Sequence, residues 1–240
     1  MLDCFTTVLL VAKNASCIAK KGLLCYNFIM KTHDKDIRPL LFDFLDERFG
    51  KVRTFEELYI GDCRADVYAV IDGASVGFEI KSDSDTYARL ENQVKLYSRY
   101  CDYCYAVVGG SHTKIFEHIP DFWGVISVCE SDGELSLSVL REAEKSPSVK
   151  STYKLRVLWR RELNALLALN SYPKYADKSR KFVIDYIVKN TEAELLSGQI
   201  SDVLFERDYT VFENEAPKKR VRNRMSSVRR GKRAARKKAK

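Results

Sequence analysis

The run RADVYAVIDGASVGFEIK, residues 64–81, constrains the fold more than any other stretch of the chain. Two apolar segments flank Asp72-Gly73, a dipeptide that favours a tight hairpin turn. Successive side chains on a strand point to opposite faces, so a period of two sorts these residues. Asp66 falls with Tyr68 and Val70, while Val67, Ala69 and Ile71 take the other side. Glu79 and Lys81 share one face, and Phe78 and Ile80 share the other. Loop length decides which charges meet. A two-residue loop pairs Ile71 with Ala74 and sets Asp66 opposite Glu79. A four-residue loop pairs Ile71 with Val76 and sets Asp66 opposite Lys81. In both registers the three charged groups emerge on one face, with directly paired Cβ atoms about 5 Å apart. A three-residue loop splits them unless a bulge restores the alternation.

Two carboxylates this close repel unless positive charge sits between them. Mg²⁺ meets that need: it favours oxygen ligands and commonly takes one or two protein carboxylates together with substrate phosphate. Asp66 and Glu79 are then candidate metal ligands, and Lys81 a compact point charge for a water or a phosphoryl oxygen. Glu57, on the preceding apolar run, is a candidate third carboxylate. The same pattern also describes a plain charge ladder on the surface of a hairpin. Downstream, Leu90, Val94, Tyr97 and Cys101 form one helical stripe, with Gln93 beside it one turn before Tyr97. That spacing suits a helix laid beside the same sheet edge, and equally a solvated Gln flanking a core Tyr.

The surrounding layout is mixed α/β. Residues 36–50 repeat Ile37, Leu41, Phe44, Leu45 and Phe49 at near-helical spacing, with Pro39 in the first turn and Gly50 as the stop. Strands are expected around 56–60, 64–71, 75–81, 103–109 and 122–129, and a helix over 86–101 between the third and fourth. A helix in that place is the crossover that returns a strand to the same sheet. SPSV at 146–149 marks a boundary, after which only helical patterns follow. The organisation expected is an N-terminal helical segment (1–35), an α/β core (36–146), a helical appendage (147–212) and a basic tail (213–240).

The segment GDCRADVYAVIDGASVGFEIKSDSDTYARLENQVKLY resembles the PD-(D/E)XK nuclease superfamily, whose core runs helix, three strands, helix, strand. Its Asp followed by Glu-x-Lys matches the superfamily signature, and Gln-x-x-x-Tyr on the next helix resembles the RecB-type exonuclease branch. The run from Arg64-Ala65-Asp66 to Glu79-Ile80-Lys81-Ser82-Asp83 is also similar to a little-characterised bacterial family assigned to that superfamily. The resemblance spans roughly residues 36–130. It implies a restriction-endonuclease-like core, metal ligation by Asp66 and Glu79, a catalytic role for Lys81, and supporting roles for Gln93 and Tyr97. It also implies an upstream acid, for which Glu57 is chosen over Glu47 or Asp36. One departure is plain: Ala65 stands where a Pro usually precedes the first Asp. The activity implied is Mg²⁺- or Mn²⁺-dependent hydrolysis of phosphodiester bonds, on DNA before RNA. The alternative is a nucleic-acid-binding protein with an inactive nuclease fold.

Charge sharpens the choice of partner. The formal net charge is +8, yet 13 of the 41 basic residues and no acidic ones lie between Lys218 and Lys240. The body before them is mildly acidic, with 28 basic against 33 acidic residues. A composition so basic and so poor in apolar groups cannot build a core, so the tail is expected to be disordered. Lys218, Lys219, Arg220, Arg222, Arg229, Arg230, Lys232, Arg233, Arg236, Lys237 and Lys238 suit a phosphate backbone, and with no aromatics among them they track charge rather than bases. Arg64 is a further candidate, either for a phosphate or for pinning a metal-ligand carboxylate.

No apolar run approaches the roughly 20 residues that span a bilayer, so no membrane partner is expected. TVLLVA follows Asp3 rather than a basic leader, which argues against a signal peptide. Seven scattered cysteines fit a reducing cytoplasm, and Cys101-x-x-Cys104 reads as buried thiols rather than a zinc or redox pair. Asp83 and Asp85 suit the cap of a helix beginning near Thr86, or substrate positioning. His112 and His118 read as solvated loop residues, and Trp123 and Trp159 as core.

Overall fold

The structure, a computed structural model, describes residues 31–131 and 133–209. Of these, residues 31–206 belong to one compact unit and 207–209 to a second. Most of the segment expected over 1–35, and the tail over 213–240, lie outside the described residues.

The first helix, α1 (Asp34–Phe49), precedes three strands, β1 (Arg53–Ile60), β2 (Cys63–Ile71) and β3 (Ala74–Lys81). Then come α2 (Leu90–Tyr100), β4 (Tyr103–Val108), a single 3₁₀ turn (Ile115–Glu117), β5 (Gly124–Ser131) and β6 (Glu134–Arg141). Four helices close the unit: α3 (Ser151–Lys154), α4 (Arg160–Leu169), α5 (Arg180–Asn190) and α6 (Ala193–Phe205). The strands form one six-stranded sheet in sequence order. β1, β2 and β3 pair antiparallel, β3, β4 and β5 parallel, and β6 returns antiparallel to β5. The parallel step from β3 to β4 requires a crossover, and α2 supplies it. The fold is therefore mixed α/β, a central sheet flanked by helices, as the apolar pattern requires.

Period-two alternation sorts the strands onto two faces. Tyr68, Val70, Ala106 and Val108 join Tyr97, Trp123, Leu155, Leu166 and Ile187 in one apolar cluster, under α2 and the C-terminal helices. Val67, Ala69, Phe78, Ile80, Val107 and Ile126 join Ile37, Leu41 and Leu45 of α1 in the other. The four C-terminal helices share the first cluster with the sheet rather than building one of their own.

Several local expectations need correction. α1 begins at Asp34, where the His33 N–H donates to the Asp36 carboxylate (3.0 Å), so Pro39 sits inside the helix rather than in its first turn. α2 begins at Leu90, not Thr86. The Asp85 carboxylate instead accepts from the Ser82 N–H (2.9 Å) and hydroxyl (2.6 Å), closing a turn straight after β3. β6 is an additional strand. Its ELSLSVLR alternation is a strand signal, with Ser136 and Ser138 keeping one side polar. The helical pattern expected after 149 is interrupted at Trp159, whose N–H donates to Glu162 (2.6 Å) and starts α4. His112 is buried and donates from Nε2 to the Ser82 carbonyl (2.7 Å), unlike a solvated loop residue.

One buried ion pair ties the C-terminal helices to the β2–β3 hairpin. Lys154 donates from Nζ to Asp102 (2.6 Å) and to the Ser197 hydroxyl (2.8 Å), and Ser197 in turn donates to the Gly73 carbonyl (2.7 Å). Asp102 also accepts from the Ser75 N–H (2.8 Å) and hydroxyl (2.9 Å). Removing one partner of such a pair strands a charge away from water. Lys154→Ala is expected to cost about 3–5 kcal/mol in chemical denaturation, and Ser197→Ala much less.

Candidate active site

The loop between β2 and β3 holds two residues, Asp72 and Gly73, and Ile71 pairs with Ala74. Gly73 takes φ +67°, a conformation costly for any residue with a Cβ. That register carries the ladder to Val67 opposite Phe78 and leaves Asp66 opposite Glu79 at its end. There the Asp66 carboxylate accepts from the Ile80 N–H (2.8 Å), taking the place of a backbone partner.

Glu79 is 1% exposed and Lys81 5%, at the C-terminal end of β3 beneath α2. Glu79 Oε1 accepts from Lys81 Nζ and from Gln93 Nε2 (2.6 Å), and Lys81 also donates to Gln93 Oε1 (3.2 Å). Gln93 thus joins an acid and an amine through both ends of one amide. Tyr97 works on the backbone. Its hydroxyl accepts from the Asp66 N–H (2.9 Å) and donates to the Phe78 carbonyl (3.3 Å), pinning β2 to β3 at the site. Gly77 makes room for this: a Cβ there would lie 2.5 Å from the Tyr97 ring.

Burial, followed by the charge of Glu79, pushes the Asp66 carboxyl up to about 7, against the opposing pull of the Ile80 N–H, Lys81 and Arg38. Burial also raises Glu79, although Lys81, the Tyr97 hydroxyl and Gln93 favour its ionised form. Glu79 Oε2 is buried without a hydrogen-bond partner. A buried carboxylate oxygen outside the Lys81 and Gln93 hydrogen bonds, beside a second raised acid, is a site short of positive charge. Oxygen donors and a charge deficit suit a hard divalent cation such as Mg²⁺ or Mn²⁺ held by Asp66 and Glu79.

Glu57 is the expected ligand that the structure does not bring to this pair. Among the described residues no three His, Cys, Asp or Glu side chains stand together as a metal cage. The Glu57 carboxylate is taken by Arg38 (2.7 Å) and Arg64 (3.3 Å), and its backbone adopts φ +51° within β1. Arg64 pairs with this acid while its side chain stays exposed.

Arg38 is a residue of the site that the sequence pattern does not reveal. It donates to the Asp66 carbonyl (2.9 Å), to Glu57 and to Asp34 (2.6 Å), linking α1 to the edge of the site. Its place beside Ile37 on an amphipathic helix gives no local signal. Asp83 is committed elsewhere as well: burial works against its charge, but bonds from Thr32 and Ser111 hold its carboxyl down at about 2.

Asp66 supplies a pH test with a definite sign. A carboxyl raised when folded keeps a proton that the unfolded chain has released, so folding loses stability as pH rises from about 4 toward 7. Denaturation in chelator is expected to show wild type losing stability between pH 5 and pH 8 relative to Asp66→Asn. Affinity for Mn²⁺ in the intact protein is expected to rise over the same interval as the pair deprotonates. A flat profile in both measurements would remove the acid pair as a cation site.

No curated protein matches the sequence. A protein of unknown function from Silicibacter pomeroyi is similar in structure at 18% identity and a TM-score of 0.39, covering 57% of this chain and 90% of that one. SfsA of Pyrococcus furiosus, solved in complex with Ca²⁺, is similar at 11% identity and a TM-score of 0.28, covering 47% of this chain and 61% of that one. Likenesses this distant say nothing of activity. The sequence itself matches the family described as Bacteriophage P4 protein cII over residues 30–230, most of its length, and the chain belongs to that family.

Proposed function

We propose that this protein is a Mg²⁺- or Mn²⁺-dependent nuclease of the PD-(D/E)XK kind, in its RecB-type form, which hydrolyses phosphodiester bonds in DNA in the cytoplasm. One observation carries the reading: Asp66, Glu79, Lys81 and Gln93 meet at one strand end, with a buried Glu79 oxygen left for a ligand. Asp66 and Glu79 would hold the cation, which when bound supplies Lewis-acid stabilisation of charge on the phosphoryl group. Lys81 donates to a non-bridging oxygen or orients the attacking water. Gln93 and Tyr97 are positioning residues: Gln93 aims Glu79 and Lys81, and Tyr97 fixes the two strands that carry the acids.

The basic tail supports the choice of a polyanionic substrate. Thirteen basic residues after Pro217 would tether a phosphate backbone without reading sequence, supplementing a body that is itself mildly acidic. A second reading, a nucleic-acid-binding protein with an inactive nuclease core, draws on Glu57 being occupied by two guanidiniums, which leaves two acids rather than three.

Labelled linear, circular and single-stranded DNA incubated with Mg²⁺, Mn²⁺ or chelator separates the two readings. Cleavage is expected with metal and lost in chelator. Glu79→Gln and Lys81→Met are expected to lower the rate by about 10²–10³-fold while leaving DNA binding intact. Gln93→Ala should raise the Mn²⁺ concentration needed for half-maximal rate, which a merely structural change would not do. Cleavage surviving both Glu79→Gln and Lys81→Met would overturn the assignment, and no cleavage of any substrate would leave the binding reading. Deleting 217–240 is expected to weaken DNA binding and flatten its salt dependence, by about 0.9 in log–log slope for each phosphate that the tail neutralises. The cleavage rate at saturating DNA should stay unchanged.

A further inference from the structure

The helices after the sheet carry a surface that the acid pair does not use. Across 174–189 there are five basic residues and two acidic ones, in a body that is otherwise net acidic before its tail. Phe182 is 40% exposed on α5, an unusual place for a ring on a helix rich in Lys and Arg. Tyr175 meets it edge-on (centroids 5.1 Å apart), and Tyr186 lies nearly parallel to it at 6.4 Å. The Lys178 ammonium stands 5.6 Å from the Phe182 centroid. The ring is thus held in place from two sides and keeps an open flank beside a cation.

Further basic and aromatic side chains lie on and between the neighbouring helices. Arg160 binds the Tyr175 and Lys178 carbonyls, and Arg180 binds the carbonyls of Arg156 and Leu158. Backbone oxygens thus hold both guanidiniums in place. Arg156 lies over the Tyr153 ring (4.7 Å), and Arg99 lies over the same ring at 5.8 Å. Arg99 belongs to α2, the helix that carries Gln93 and Tyr97.

We propose that this strip, from Phe182 through Arg180 and Arg156 to Arg99, binds single-stranded nucleic acid, with a base stacked on Phe182 and the backbone tracked by the arginines. Alternating ring faces and cations are the chemistry that such a strand requires, since every base has a π-face and every nucleotide a phosphate. A duplex hides its base faces and would engage only the charges. An acidic peptide offers charge but no stacking partner. The inference does not depend on hydrolysis by the acid pair and stands if that reading fails.

Anisotropy of a labelled fifteen-nucleotide single strand, and of the matching duplex, on the full-length protein tests it. Phe182→Ala is expected to weaken the single-strand complex about tenfold, leave the duplex within about twofold, and leave the salt slope unchanged. Phe182→Trp should restore binding and Phe182→Leu should not, since leucine keeps apolar bulk but offers no π-face. Lys178→Ala with Arg156→Ala should lower affinity and salt slope together. Equal losses for single strand and duplex, wild-type affinity in Phe182→Ala, rescue by Phe182→Leu, or an equal Phe182→Ala loss against poly-glutamate would each overturn the proposal. Cleavage by these variants is read separately, so failure of the strip and failure of the nuclease reading remain distinct.

Discussion

The turn at Asp72 and Gly73 admits one pairing of β2 with β3, and the geometry of the candidate site follows from it. With Ile71 against Ala74, the ladder ends at Val67 and Phe78, one position short of Asp66 and Glu79. A slip of one residue would turn Asp66, Tyr68 and Val70 toward α1 and bring Val67, Ala69 and Ile71 under α2. Both apolar clusters would be broken at once. The packing of two faces therefore protects the placement of two acids, and the hairpin cannot be re-registered without unfolding the sheet.

Around that hairpin the molecule accepts a cost. Two carboxyls are raised by burial, and one of their oxygens has no partner. A fold selected for stability alone would place apolar residues of similar size there, since an uncompensated buried charge is expensive. Contrast the Lys154–Asp102 pair. It is equally buried, yet the Asp102 oxygen shared with Lys154 is also bonded to Ser75, and Lys154 reaches a second oxygen on Ser197. The satisfied pair reads as a structural staple. The unsatisfied one reads as a place for something to bind.

Much of this is legible in the chain itself. Alternation in RADVYAVI and SVGFEIK predicts which side each charge takes, because a strand's period is fixed by its backbone. The Gln93 to Tyr97 spacing puts an amide and a hydroxyl one turn apart on a helix, and both reach the hairpin. Other features are hidden. Asp85 has two plausible jobs at the same distance along the chain, and a turn wins over a helix cap because Ser82 lies within reach.

What the sequence determined by itself was periodicity: which residues share a face, where most helices and strands fall, and that a basic segment follows an acidic body. These follow from local backbone geometry and composition, which need no partner. The tertiary structure alone decided which long-range charges meet. Arg38 from α1 and Arg64 from β2 claim Glu57, so the acid expected as a third ligand is not gathered with Asp66 and Glu79. Contacts between elements depend on how layers stack, and no local pattern in one element encodes the charge on its neighbour.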